Sequence, residues 1–321
     1  RALLTCGDDA TVRIWDANSG REMHTLFGHS GPVRDVTVAP NGEWLLTAGE
    51  DRSGIMWEMP QRDSTRSSLP SEARVRAVCW SPKGGRLALA DGPRIVIHDR
   101  DLLAAPPLTL QGHDNQVRAV SWSPNDIMLA SGSYDHTVRV WNAQDGQLLQ
   151  TLEGHNRPVY AVAWHPRKPL LASGGGDHYV RIWDVEKGSQ IEMLRVSGTI
   201  SDLAWSPDGE LLAVANSSQD KPVVVFDAET FTSYIQFALE VPRSALAVAW
   251  SPCGEKLAAG FAKWGSTENA LYPTVHVFHL DGRTPTVELI AHNESVSAID
   301  WSPDGSRLVS AARDGVIKVW D

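Results

Sequence analysis

The chain has 321 residues, 42% of them hydrophobic, and a formal net charge of −10 from 39 acidic and 29 basic residues. An acidic balance without blocks of like charge argues against a reader of phosphate backbones, which draws on clustered Lys and Arg. The apolar runs also fall far short of the ~20 residues that a membrane-spanning helix needs.

In chain order, residues 1–16 hold two short strands, the second ending in Trp15-Asp16. VRDVTVAP then runs to Pro40, and a turn, the run LLTAG and a third strand ending in Trp57-Glu58 follow it. The same plan recurs from VRAVCWSP at Pro82, VRAVSWSP at Pro124, VYAVAWHP at Pro166, ISDLAWSP at Pro207, ALAVAWSP at Pro252 and VSAIDWSP at Pro303. Spacings between the prolines are 42, 42, 42, 41, 45 and 51 residues. Each proline leads into a polar or glycine turn such as Asp208-Gly209, because Gly tolerates positive φ and Asp bonds its own backbone. The units end near residues 16, 58, 99, 142, 184, 227, 279 and 321. Short strands at a fixed period predict an all-β repeat architecture in one domain, 1–321. The chain opens on Arg1, so we expect it to belong to a longer protein, and no leader is readable.

Eleven of the 13 tryptophans fill two slots of this repeat. Trp80, Trp122, Trp164, Trp205, Trp250 and Trp301 end first strands; Trp15, Trp57, Trp141, Trp183 and Trp320 end third strands. Such placement reads as packing between repeated sheets. Four residues also recur at fixed offsets: His29, Thr47, Asp51 and Trp57; His113, Ser131, Asp135 and Trp141; His155, Ser173, Asp177 and Trp183; His292, Ser310, Asp314 and Trp320. Thr5, Asp9 and Trp15 form the tail of a fifth set. A catalytic triad needs one nucleophile, one base and one carboxylate in a cleft, whereas four copies, each with its Trp, point to a structural role.

With its Gly-His, its Trp-Asp endings and this period, the chain resembles the WD-repeat family along essentially its whole length. The resemblance implies a β-propeller of four-stranded antiparallel blades. It also implies a hydrogen-bonded line from indole through Ser/Thr and His to Asp within each blade. The units ending at Asp99, Asp227 and His279 lack the set, carrying Ser71 and Leu89, Phe226, and Phe278 in its slots. We expect these blades to rest on apolar packing alone. Eight Trp-Asp-like endings against seven first strands leave seven or eight blades; we expect eight, with the first incomplete. In the alternative, residues 21–27 close a seven-bladed ring and leave 1–16 over.

The resemblance implies that partners dock on the loop face around the central channel. The position four residues before the end of the first strand lies near that rim, where it reads Arg34, Arg76, Arg118, Tyr160, Ser201, Leu246 and Ser297. Three arginines and a tyrosine, with Tyr134 and Arg157 beside them, suit an acidic or phosphorylated peptide; the bland reading is a solvated rim paired with nearby Asp and Glu. A second candidate is the insertion AKWGSTENALYPT, which carries Trp264 and Tyr272 outside the repeat slots; the bland reading tucks Trp264 against a blade edge.

We therefore expect a non-catalytic scaffold or sensor that binds a protein or peptide, other domains of the same parent chain included, without cofactor or metal. The rivals are a propeller enzyme, for which the first strands offer only Asp35, Asp202 and Asp300, and nucleic-acid binding through the arginines. Cys6, Cys79 and Cys253 are far apart, with neither metal spacing nor a disulfide framework, so a reducing, cytoplasmic location is expected.

Overall fold

The computed structural model describes residues 2–16, 21–59, 66–101, 106–239, 243–263, 273–280, 287–290, 292–313 and 317–320. Their strands form eight antiparallel sheets, six of four strands and two of three, and no helix occurs among the described residues. We number the sheets 1 to 8 in chain order. The chain is thus an eight-bladed β-propeller. The seven-bladed alternative fails because Glu22–Phe27 pairs with Thr11–Asp16, from Thr11↔Phe27 to Trp15↔Glu22. Residues 21–27 are the outer strand of sheet 1, and the Trp15 motif keeps its own blade.

Two compact units divide the chain, residues 1–164 with 185–189 and residues 165–184 with 190–321. In the first unit Val12, Ile14 and Leu26 of sheet 1 pack on Val33, Leu45 and Trp57 of sheet 2. On its other side, sheet 2 sets Leu46, Met56 and Leu69 against Val75, Leu87 and Leu89 of sheet 3. Sheet 3 in turn sets Ala88, Ile95 and Leu110 against Val117, Leu129 and Trp141 of sheet 4. In the second unit Ala213 and Val223 of sheet 6 meet Val248, Leu257 and Phe278 of sheet 7, whose Ala258 and Val275 meet Val296 and Leu308 of sheet 8.

A sheet covered on both faces loses the two-residue alternation of a half-buried one. The second strands show this: Trp44–Gly49, Arg86–Asp91, Met128–Ser133, Leu211–Asn216 and Lys256–Phe261 are buried at their last five positions. That is why they read as small, continuous apolar runs. Outer strands such as Ser189–Arg195 are mostly exposed and polar.

The first-strand tryptophans do more than fill space. Trp80, Trp164, Trp250 and Trp301 donate their indole N–H to the preceding blade, at Thr37 O (3.4 Å), Ser121 O (3.0 Å), Ala204 O (2.9 Å) and Ala249 O (3.1 Å). A buried indole N–H needs such an acceptor. In the Ser-Pro turns, Ser81, Ser123, Ser206, Ser251 and Ser302 accept the N–H five residues on, at 2.9–3.1 Å. Gly209 and Gly305 sit at φ +78 and +68 in these turns, where Asp126 takes the same slot at φ +68. The non-glycine is tied down: Arg86 of sheet 3 bonds the Asp126 carbonyl at 2.7 Å and its carboxylate at 3.3 Å, and lies 4.8 Å over Trp122.

Candidate functional site

The repeated polar sets form connected networks. In sheet 4 the Trp141 indole donates to Ser131 Oγ at 2.9 Å, Ser131 meets His113 Nε2 at 2.8 Å, and His113 Nδ1 meets Asp135 at 2.7 Å. An acceptor-only carboxylate accepts the Nδ1–H hydrogen bond, so the proton stays on Nδ1 and Nε2 is left to accept from the serine hydroxyl. Sheet 2 repeats this, with Trp57 to Thr47 at 3.0 Å, Thr47 to His29 at 2.8 Å and His29 to Asp51 at 3.0 Å. For Asp135, burial is the largest single influence and pushes the carboxyl up. Hydrogen bonds from His113 and Thr137 together outweigh it and hold the group well below the usual range. In sheet 8, His292 meets Ser310 at 2.8 Å and Trp320 donates to Ser310 at 3.0 Å, while Asp314 lies outside the described residues. Trp183 donates to Ser173 at 2.8 Å, Tyr179 N–H to Asp177 at 3.3 Å, and His155 is buried. Trp15 donates to Thr5 at 3.0 Å, and Asp9 is held by Thr11 and Arg13.

The expectation that sheets 3, 6 and 7 rest on apolar packing alone is corrected. Each carries a substitute network. In sheet 3, Asp91 accepts two bonds from Arg94 (2.9 and 2.7 Å) and the N–H of Ala73 (2.7 Å). In sheet 6, fully buried Asn216 donates to the carbonyls of Lys221 and Pro222 and accepts the Ser218 N–H at 2.8 Å. In sheet 7, buried Arg243 and His276 both bond Thr274, and the Glu288 carboxylate stands 3.6 Å from the imidazole. In sheets 3 and 6 backbone polar groups still need partners once the His-Ser-Asp-Trp set is gone, and Asp91 and Asn216 supply them; in sheet 7 the buried side chains bond one another.

Six of the seven predicted rim residues share one local cause. In sheets 2, 3, 4, 6, 7 and 8 the pairing of first and second strands shifts at Val33/Asp35, Val75/Val78, Val117/Ala119, Ile200/Asp202, Ala245/Ala247 and Val296/Ala298. Arg34, Arg76, Arg118, Ser201, Leu246 and Ser297 lie within these bulges. A bulge leaves a residue unpaired and re-aims its side chain. The shift has no signature in the repeat spacing.

Opposite the bulges stands the residue that opens each turn after the second strand. In the first unit these are Asp8, Glu50, Gly92 and Tyr134. Arg34 donates to Asp8 of sheet 1 at 2.7 Å and to Glu50 of its own sheet at 2.9 Å. Arg76 and the neighbouring Arg74 each approach Glu50 at 3.5 Å. The Arg34 hydrogen bond, aided by Arg74 and Arg76, holds the Glu50 carboxyl below its ordinary range. Tyr134 and Tyr160 meet edge to face across sheets 4 and 5, ring centroids 5.8 Å apart. Arg118 and Arg157 are exposed and make no ion pair among the described residues. The expected arc is therefore split: Arg34 and Arg76 are drawn onto Glu50, while Arg118 and Arg157 flank the tyrosine pair in sequence. The opening-turn residues are a signal that spacing alone could have supplied, one place before Asp9, Asp51 and Asp135. Trp264 and Tyr272 lie outside the described residues.

The three first-strand aspartates are bonded to backbone amides. Asp35 accepts from Val36 and, across to sheet 3, from Val78, both at 2.9 Å. Asp202 does the same with Leu203 (2.9 Å) and Val248 of sheet 7 (3.1 Å), and Asp300 accepts from Trp301. Burial pushes the Asp35 carboxyl up to about 6 against the pull of its two amide bonds. No helix among the described residues is long and apolar enough to cross a membrane.

Comparison with known proteins adds to this picture. The family model for the WD domain, G-beta repeat, matches residues 1–16, 20–58, 105–142, 146–184, 188–227 and 283–321. The unmatched stretches contain most of sheets 3 and 7, two of the three with substitute networks. The chain is 28% identical over 149 residues to the small ribosomal subunit protein RACK1 of Drosophila melanogaster, covering 43% of this chain and 46% of that protein. It is 27% identical over 178 residues to the nuclear distribution protein nudF of Aspergillus niger, covering 46% of this chain and 38% of that one. With the nuclear distribution protein PAC1 of Arthroderma benhamiae the figures are 28% over 171 residues, 46% and 37%. The matches span less than half the length of each of these relatives.

Proposed function

The chain belongs to the WD-repeat family, and from that premise we propose that it is a non-catalytic scaffold that binds a protein partner through the bulge edge of its first unit. The partner segment is acidic or phosphorylated and lies over Arg118, Tyr134, Tyr160 and Arg157. The observation that carries this reading is the Tyr134–Tyr160 contact at 5.8 Å on the edge of sheets 4 and 5, with Arg118 of sheet 4 exposed and making no ion pair among the described residues. Tyr and Arg dominate the energetics of interfaces because they offer large area with a polar end. Other domains of the same parent protein are partners of the same kind. An intracellular, cytoplasmic setting fits its free cysteines, Cys6, Cys79 and Cys253.

The test is capture from source-cell lysate by the wild-type chain and by an Arg118→Ala/Tyr134→Ala/Tyr160→Ala variant, read by quantitative mass spectrometry. A protein retained by the wild type and lost by the variant supports the reading. Equal retention by both removes the bulge edge as the docking site.

A further inference from the structure

In sheets 2 to 5 the first strand pairs within its sheet on one side only, so every second amide along it points to an open edge. Ala39, Ser81, Ser123 and His165 fix which amides these are. Their N–H groups bond the second strands at Trp44 O, Arg86 O, Met128 O and Leu170 O, all at 2.9 Å. Three residues earlier, Val36, Val78, Val120 and Val162 therefore point away. The first two are capped: Asp35 Oδ1 accepts the Val36 N–H and Oδ2 the Val78 N–H of the next sheet, both at 2.9 Å. Sheets 6 and 7 repeat the arrangement, with Asp202 on Leu203 at 2.9 Å and on Val248 at 3.1 Å. One carboxylate thus bridges two neighbouring first strands. In sheet 4 the place of Asp35 is taken by Ala119, and neither the Val120 nor the Val162 amide has a hydrogen-bond partner among the described residues. The two strands are held together as those of sheets 2 and 3 are: Trp164 bonds Ser121 O at 3.0 Å where Trp80 bonds Thr37 O at 3.4 Å. Ala119, Val120 and Val162 are all partly exposed.

We propose that an aspartate or glutamate side chain of the partner segment docks where Ala119 leaves room, its two carboxylate oxygens accepting the Val120 and Val162 N–H groups. The chain's own carboxylates at the same place in sheets 2 and 6 are the template for this occupant. Hydrogen bonds to a charged acceptor are about twice as strong as neutral ones, and two converging amides match the two oxygens of a carboxylate. A phosphate, with three oxygens and close to two charges, exceeds them. Burial pushes Asp35 up to about 6, so a carboxylate in its setting is still charged at neutral pH. Arg118 draws the Asp35 carboxyl down, and it directly precedes Ala119, so its charge favours an anion in the vacant place too. Arg118 and Tyr160 each stand two residues before one of the open amides, which puts the place beside the docking edge. This inference rests on the reading that an acidic segment lies over Arg118 and Tyr160, and it adds the atoms that anchor that segment.

The experiment probes the purified chain with labelled peptide pools whose fixed central residue is aspartate, glutamate, glutamine or phosphothreonine, and with acetate followed through backbone amide NMR signals. The aspartate or glutamate pool should bind about tenfold tighter than the glutamine pool. Ala119→Asp offers the chain's own carboxylate to both amides and should weaken that binding about tenfold. Ala247→Asp adds the same charge at the same place in sheet 7, where Val248 is already bonded, and should change binding by less than about threefold. Saturating acetate should shift the Val120 and Val162 signals in the wild type, and those of Val36 and Val78 as well in Asp35→Ala; this arm stands even if Ala119→Asp fails to fold. Carboxylate-dependent binding that survives Ala119→Asp, or acetate that leaves Val120 and Val162 unmoved, overturns the amide site. Equal binding of all pools, lost in Tyr160→Ala, overturns it and leaves the docking edge standing. Preference for the phosphothreonine pool, or no binding of any pool, overturns it too. Glutamate-dependent binding that Ala119→Asp removes and Tyr134→Ala/Tyr160→Ala does not would keep the amide site and remove the tyrosine edge.

Discussion

Glu50 accepts the Nε–H of Arg34 at 2.9 Å, and the same carboxylate lies 3.5 Å from Arg76 and from Arg74. A guanidinium already bonded to two carboxylates has little left for a partner. Arg34→Ala should therefore leave retention of a captured partner within about threefold of wild type, while Arg118→Ala lowers it about tenfold. Surface ion pairs of this exposure stabilise little, so neither variant should move the melting temperature by more than about 2 °C. Titrated pull-downs alongside melting curves measure both.

Ser131 sits at the centre of the sheet 4 network, accepting from Trp141 and meeting His113. Ser131→Ala strands a buried indole N–H and a buried imidazole nitrogen together. Two unsatisfied groups cost about 2–4 kcal/mol, which lowers the melting temperature by about 3–6 °C in a chain of this size. Calorimetry reads this directly, and a shift under about 1 °C would mean the network contributes nothing to stability.

Sheet 7 carries an acid-sensitive point. Burial, helped by the Arg243 charge, pushes His276 down to about 4 from an ordinary 6.5. The unfolded chain then binds more protons than the folded one between those two values. Stability held by neutral His276 is fully present above about pH 6.5 and is lost as the pH falls through that window toward 4. Between pH 7 and pH 4.5 wild type should lose about 2 kcal/mol more than His276→Gln does. Urea melts of both proteins at the two pH values give the difference.

Much of this architecture is legible in the chain, because the period, the tryptophan slots and the four-residue sets are local or fixed in offset. Continuous burial of the second strands is foreshadowed by runs such as LLTAG. The substitute networks are hidden to different degrees. Asp91 and Arg94 are three residues apart in one turn, but Arg243 and Thr274 are separated by 31 residues with an insertion between them. At the bulge edge the arginines are visible in sequence, and so is Tyr134. What is not visible is the strand bulge that sets Arg34 against Asp8 and Glu50, since one unpaired residue per strand leaves the repeat length unchanged. An arc of three equal arginines thus becomes two engaged residues and one free one.

The most direct test places a photo-cross-linking phenylalanine analogue at Tyr160, in contact with Tyr134 on the proposed docking edge, and separately at Tyr234, exposed on the outer strand Ser233–Phe237. Irradiation in source-cell lysate should join a partner protein to the Tyr160 probe and not to the Tyr234 probe. A partner joined through Tyr234 alone would contradict docking on the bulge edge.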